Sequence, residues 1–161
     1  MKKLLIIRHA KSSWKYAVND QDRPLNKRAI TDANIVSKHL INKVKDIDFV
    51  CSSPAARALQ TCSIFLRNLS IDLDKIKISK KLYDFGGLEV KNFIKSLNDD
   101  YNCVMIFGHN HAFTSISNIF GDYYIDNLPT SGFVEIEFDT NSWKFIKEGH
   151  SKLIVFPKHL K

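Results

Sequence analysis

Four short stretches of this 161-residue chain carry side chains suited to chemistry at a phosphorus atom. The first is Arg8-His9, which closes the apolar run KLLIIR that begins at Lys3. A neutral imidazole can attack phosphorus with its lone pair. A neighbouring guanidinium can hold phosphate oxygens by paired, charge-assisted hydrogen bonds. The second is Arg57 in SSPAARALQT. It sits near the start of an expected helix, where free backbone N–H groups and the positive dipole end favour an anion. The third is His109 in FGHNH, directly after the run CVMIF, and the fourth is Arg23 in DRPL. Each has an ordinary explanation by itself. Arg-His pairs are common, Arg57 alone suits an exposed surface, His109 suits a hydrogen-bonded loop, and Arg23 suits a salt bridge to Asp20 or Asp22. Those explanations do not account for three apolar runs in one chain ending in Arg-His, Ser-Ser-Pro-x-x-Arg and Gly-His.

The elements that must position these groups read as alternating strands and helices. Lys3 to Arg8 is a short apolar run, as in a strand buried on both faces. A polar loop follows from Ala10 to Leu25. Asn26 to Val44 then reads as an amphipathic helix, with Ile30, Ala33, Val36, Leu40 and Val44 at helical spacing. Asn26 suits its N-cap, with Leu25 and Ile30 as a hydrophobic staple. Asp48 to Ser52 is a second strand, and Pro54 suits the first turn of a helix running to about Leu69. Ile76 to Ile78 is a third strand, Leu88 to Leu97 a third helix, Cys103 to Phe107 a fourth strand and Ala112 to Phe120 a fourth helix. The tail alternates differently, with strands expected at Phe133 to Phe138, Trp143 to Lys147 and Lys152 to Val155 near a sheet edge.

The pattern predicts one α/β domain over residues 1–161: a mostly parallel sheet with helices on both faces and antiparallel strands toward the C-terminus. In such sheets, sites form beyond the carboxyl ends of the strands. Arg8-His9, Ser52-Ser53 and Gly108-His109 all follow predicted strand ends, so they point chemistry at one edge.

Composition agrees with a globular chain. Hydrophobic residues make up 44% and charged residues 25%, which leaves enough apolar material for one core. No apolar run reaches the length of a membrane span. The opening Met1 to Ile7 is too short for a secretory signal, so a cytoplasmic protein is expected. Cys51, Cys62 and Cys103 match no zinc spacing and read as reduced, mostly buried thiols. The formal charge of +7 favours acidic partners. The lysines are spread along the chain and no aromatic-interleaved basic stripe is read, so no nucleic acid is expected as a partner.

Seven stretches together resemble the histidine phosphatase superfamily, and more narrowly the SixA-type phosphohistidine phosphatases. They are LLIIRHAKSSW, DRPLNKRA, DFVCSSPAARALQT, KLYD, VMIFGHNHAF, LPTSGFVEIEF and FPKHL, and they span Leu4 to Leu160. The resemblance implies a phosphoglycerate mutase-like fold and a phosphatase that works through a phosphohistidine intermediate on His9. It implies that Arg8, Arg57 and His109 surround the phosphoryl oxygens and that Arg23 is a further clamp. It implies no metal and no cofactor, because positive side chains supply what a metal supplies elsewhere. The expected partner is a phosphorylated protein, such as a phosphotransfer or phosphocarrier domain, with a small phosphate ester or phosphoramidate as the alternative.

The chain departs from the larger members of that superfamily in two places. The stretch between Leu69 and Cys103 leaves little material for a lid, and an open site suits a protein-borne phosphohistidine better than a small sugar phosphate. Asp84 in LYDF resembles the position of the relatives' acid, with Glu89 a second candidate, although either suits an exposed loop carboxylate. His111 stands where many relatives have proline and is expected to cap the following helix rather than to bind substrate. Cys51 and Arg57, separated by SSPAA between a strand and a helix, open a different reading, a cysteine-dependent phosphatase. That loop has no glycine and contains Pro54, and the reading leaves both histidine motifs unused. A non-catalytic phosphate-binding or nucleic-acid-binding module is the remaining alternative. His39, His150 and His159 read as surface or tail residues.

Overall fold

The computed structural model describes residues 1–161. Six strands form one sheet: β1 (Lys2–Arg8), β2 (Phe49–Ser52), β3 (Ile76–Ile78), β4 (Cys103–Gly108), β5 (Phe133–Phe138) and β6 (His150–Val155). Their spatial order is β3-β2-β4-β1-β5-β6. The first four pair in parallel, whereas β5 and β6 join antiparallel beside β1. The helices are α1 (Lys27–His39), α2 (Ala56–Asn68), α3 (Leu88–Lys95) and α4 (Ala112–Phe120).

The apolar runs are continuous because the sheet is covered on both faces. Along β1, Leu5 and Ile7 enter the core shared with α1 and α2. Leu4 and Ile6 enter the opposite core, under α3 and α4. β4 divides likewise: Met105 and Phe107 go to the first core, Val104 and Ile106 to the second. Burying one such aliphatic side chain contributes about 1.5–3 kcal/mol, so the central strands hold the two layers together.

Several local expectations need correction. α1 ends at His39 rather than Val44. Residues 40–44 form turns, with Asn42 at φ 69°, a left-handed conformation that does not continue a helix. Asn26 does cap α1, its side chain accepting from Arg28 N–H at 2.9 Å. Ile30, however, points largely to solvent, and Ala29 takes the buried position instead. Pro54 precedes the N-cap Ala55 and so lies before the first turn of α2. α3 stops at Lys95. Trp143 to Phe145 is a 3-10 turn rather than a strand. There the Trp143 indole is fully buried and donates to the Tyr101 carbonyl at 2.8 Å. The apolar pattern at 143–147 therefore reflects a plug at the sheet's end, not a paired strand.

Candidate active site

The carboxyl ends of β1, β2 and β4 lie side by side, as the registers Arg8↔Gly108 and Ser52↔Phe107 require. This brings the residues following those strands to one edge. His9 N–H donates to Gly108 O at 3.0 Å, which ties the first segment to the third. Gly108 has no substitute here: a Cβ would lie 2.6 Å from the Phe113 ring and 3.1 Å from Leu82 O. The residue before His109 must therefore lack a side chain.

All five expected site residues converge. Arg8, His9, Arg23 and Arg57 line one open cavity of about 420 Å³. His109, fully buried, packs behind it with its ring centroid 5.2 Å from that of His9. Arg57 is the second residue of α2 and only 1% exposed.

The hydrogen bonds define the imidazoles. His9 Nδ1 lies 2.6 Å from Ala10 O, an acceptor, so the proton belongs on Nδ1 and the Nε2 lone pair is free. Ala10 is held in turn, its N–H donating to Thr61 Oγ1 at 2.8 Å, while the Thr61 hydroxyl donates to Arg57 O at 2.7 Å. One threonine thus links the backbone beside His9 to that of Arg57. His109 Nε2 pairs with Ser53 Oγ at 2.8 Å. That oxygen also accepts from Ala55 N–H, which favours its own proton pointing at His109 and a proton on His109 Nδ1. His109 Nδ1 has no partner, and neither do the Nε atoms of Arg8, Arg23 and Arg57. Buried donors without acceptors are costly, and three on residues that line one cavity, with a fourth on the ring behind it, suit an anion with several oxygens.

Electrostatics keeps both rings neutral. Burial lowers the His9 pKa to about 4, with Arg57, Arg8 and Arg23 adding to the effect. Burial lowers His109 to about 3, with His9 and Arg57 contributing. Neutrality is what a nucleophilic imidazole needs at pH 7.

Asp20, in a 3-10 turn of the loop after β1, does more than the salt bridge to Arg23 expected of it. The Arg23–Asp20 bridge does form, Nη2 to Oδ1 at 2.7 Å. Asp20 also receives Arg57, Nη1 to its backbone O at 2.7 Å and Nη2 to Oδ2 at 3.0 Å. The Tyr83 hydroxyl donates to the same Oδ2 at 2.5 Å. Burial pushes the Asp20 carboxyl up, but the Tyr83, Arg23 and Arg57 bonds outweigh it and hold the group well below the usual carboxylate range. Asp20 grips the outer ends of two guanidinium groups and leaves their Nε atoms unpaired. Arg23 also donates to Ser12 Oγ and stacks on Trp14, its guanidinium carbon 3.8 Å from the ring centroid. No spacing rule marks Asp20, Tyr83, Thr61 or Ser53, although Ser53 does follow a strand end.

The remaining candidates fall elsewhere. Both Asp84 oxygens are committed to the start of α3, accepting from Gly86, Gly87 and Val90 N–H at 3.0–3.1 Å. Glu89 is exposed in the first turn of α3 and does not line the cavity. Asp20 is therefore the cavity's one carboxylate. His111 occupies the N-cap position of α4 without a capping bond from its side chain. Asn110 does that work, its Oδ1 accepting from Thr114 N–H at 3.0 Å. Cys51 is 2% exposed in the α3–α4 core, and burial pushes its thiol up to about 11. A buried, protonated thiol cannot serve as the nucleophile. Cys62 and Cys103 are likewise free and buried.

The profile of the histidine phosphatase superfamily (branch 1) matches residues 4–95. An uncharacterized protein of Mycobacterium tuberculosis is 25% identical over 160 residues, covering 93% of this chain and 98% of its own. Among solved structures, the protein histidine phosphatase SixA complexed with tungstate superposes at TM-score 0.82 with 21% identity, over 99% of each chain. The alpha-ribazole phosphatase of Shigella flexneri superposes at TM-score 0.70 with 15% identity, over 96% of each chain. At such identities these two likenesses speak for the fold.

Proposed function

The chain belongs to the histidine phosphatase superfamily, branch 1, and from that premise we propose that it removes the phosphoryl group from phosphohistidine on a partner protein, with His9 as covalent nucleophile. The observation that carries this reading is His9 itself, a neutral ring tied at Nδ1, with Nε2 free beside three guanidinium groups.

The steps follow from the geometry. Arg8, Arg57 and Arg23 bind the phosphoryl oxygens with their unpaired N–H groups, and His109 donates from Nδ1. His9 Nε2 attacks phosphorus, an N–P bond forms, and the substrate's P–N bond breaks with its electron pair passing to the departing imidazole. The His9 ring becomes cationic, and the Ala10 carbonyl at Nδ1 stabilises it. Water then attacks phosphorus, and the N–P electron pair returns to Nε2. Water's proton leaves with phosphate or solvent. Charge stabilisation by fixed donors is the main catalytic term, so the scheme requires no metal.

The state of the nearby carboxylates supports a phosphohistidine substrate. Asp20 is ionised at neutral pH and has no proton to give, and Asp84 is engaged with backbone. An alkoxide leaving group needs a proton in the transition state. An imidazole, with an unperturbed pKa of about 6.5, departs as a neutral ring when its second nitrogen is already protonated. The open cavity also admits a ring carried on a protein surface. No helix is long and apolar enough to cross a membrane, and three buried free thiols suit the reducing cytoplasm.

The test is turnover on a phosphohistidine-bearing protein, a phosphoserine peptide and a sugar phosphate, side by side with a chelator present. Brief incubation with labelled substrate should trap phosphate on His9, and His9→Ala should abolish turnover while remaining folded. A strong preference for an ester would replace the substrate and leave the His9 chemistry. Full turnover by His9→Ala would end the proposal.

A further inference from the structure

Beside the catalytic cavity lies a second groove of about 500 Å³, and the two share Lys11, Ser12 and Trp14 in their walls. Its charged residues are Lys11, Lys15 and Lys27, with no carboxylate in the lining. None of the three lysines takes part in a salt bridge. Trp14 is 80% exposed and Tyr16 53%. Large aromatic rings standing in water beside a site mark a surface awaiting a partner. Contrary to expectation, Lys11, Trp14, Lys15 and Tyr16 form an aromatic-interleaved basic stretch within one short segment, and the fold adds Lys27 from the start of α1.

The platform is built rather than loose. Ser12 and Leu25 form an antiparallel bridge. Ser13 N–H donates to Pro24 O and Asn26 N–H to Lys11 O, both at 2.8 Å. Trp14 is held flat against Arg23, which also belongs to the phosphoryl clamp. The groove therefore adjoins the place where the transferred group must sit, in fixed geometry.

We propose that this groove docks an acidic segment next to the phosphohistidine of the partner protein. Lys11, Lys15 and Lys27 meet its carboxylates, and Trp14 and Tyr16 pack against its side chains. The charge argument is direct: three unpaired ammonium groups and no acid in the walls select a negatively charged occupant, against the background of a chain with formal charge +7. The proposal rests on the phosphoprotein reading above, and the test separates the two.

The probes are two synthetic peptides carrying one phosphohistidine, flanked in one case by Asp and Glu and in the other by Ser and Gly, together with free phosphohistidine. The variant is Lys15→Glu/Lys27→Glu. Neither lysine lines the catalytic cavity, and an acidic residue at the first position of α1 suits the helix dipole. Wild type should favour the acidic peptide in kcat/KM by about tenfold or more, and added salt should erode that preference. The double variant should lose it while hydrolysing free phosphohistidine at the wild-type rate. Equal kcat/KM for the two peptides, or an equal loss on all three substrates, would overturn the proposal. Binding of the unphosphorylated acidic peptide, read by quenching of exposed Trp14 (Trp143 is fully buried), reports on the groove even if no phosphohistidine is hydrolysed. Quenching that the double variant abolishes supports docking, and no quenching in wild type refutes it. A single-stranded oligonucleotide that outcompetes the acidic peptide would assign the groove to nucleic acid and also refute it.

Discussion

Acidification should destabilise the folded protein through His9, by an amount that follows from its surroundings. The folded pKa of about 4 lies below the ordinary value of 6.5. The unfolded chain therefore takes up a proton more readily than the folded one. Stability rises with pH wherever the unfolded state binds more protons, so the His9 contribution is present above about pH 6.5 and is lost as pH falls toward 4. Linkage between these two values predicts a loss of about 2 kcal/mol at pH 5, approaching a limit of about 3 kcal/mol below pH 4. At pH 7 about one ring in a thousand is charged, so nearly every molecule carries a competent nucleophile. His109, lowered to about 3, adds a loss of the same sign over a wider range. The assay is urea unfolding of wild type and His9→Gln at intervals from pH 7.5 to 4, with parallel NMR titration of the ring protons. The wild-type curve should fall more steeply than that of the variant between pH 6.5 and 4. Parallel curves, or an NMR pKa for His9 at or above 6.5, would refute both the burial argument and the neutral nucleophile.

Other outcomes follow from particular contacts. Arg57→Ala should lower turnover by roughly 10²–10³, by analogy with the loss of one oxyanion donor, whereas Arg23→Ala should act more on KM; equal turnover losses would show the roles are misassigned. Asp20→Asn removes the charge that Arg23, Arg57 and Tyr83 hold in common, so inhibition by inorganic phosphate should strengthen several-fold while turnover falls through looser guanidinium groups; unchanged phosphate inhibition would contradict this. Asp84→Asn replaces one of the two accepting oxygens at the start of α3 with a donor and should cost about 1 kcal/mol of stability, measurable as a lower melting temperature, with little effect on phosphohistidine turnover; a large, equal loss on phosphohistidine and ester would make Asp84 a general acid after all.

The chain by itself settled whatever depends on local periodicity and punctuation. Strands buried on both faces must read as unbroken apolar runs, so β1 and β4 were legible, as were α4 and β5 with their bounds. Parallel topology sends strand ends to one edge, which made Arg8, His9, Arg57 and His109 recognisable as a group before any contact was known. Tertiary structure decided the contacts that bridge distant segments. Asp20 reaches Arg57 and Tyr83 across 37 and 63 positions. Thr61 meets Ala10 across 51, and Ser53 meets His109 across 56. Such pairings depend on strand order and on the path of the loop after β1, neither of which leaves a periodic trace. Asp84 shows the same division: its residue type and place suggested an acid, but the fold supplied three backbone N–H groups within reach and made it a helix cap. Trp143 was misread as strand for the complementary reason, since an apolar residue reports that it is buried but not whether its backbone has a neighbour to pair with.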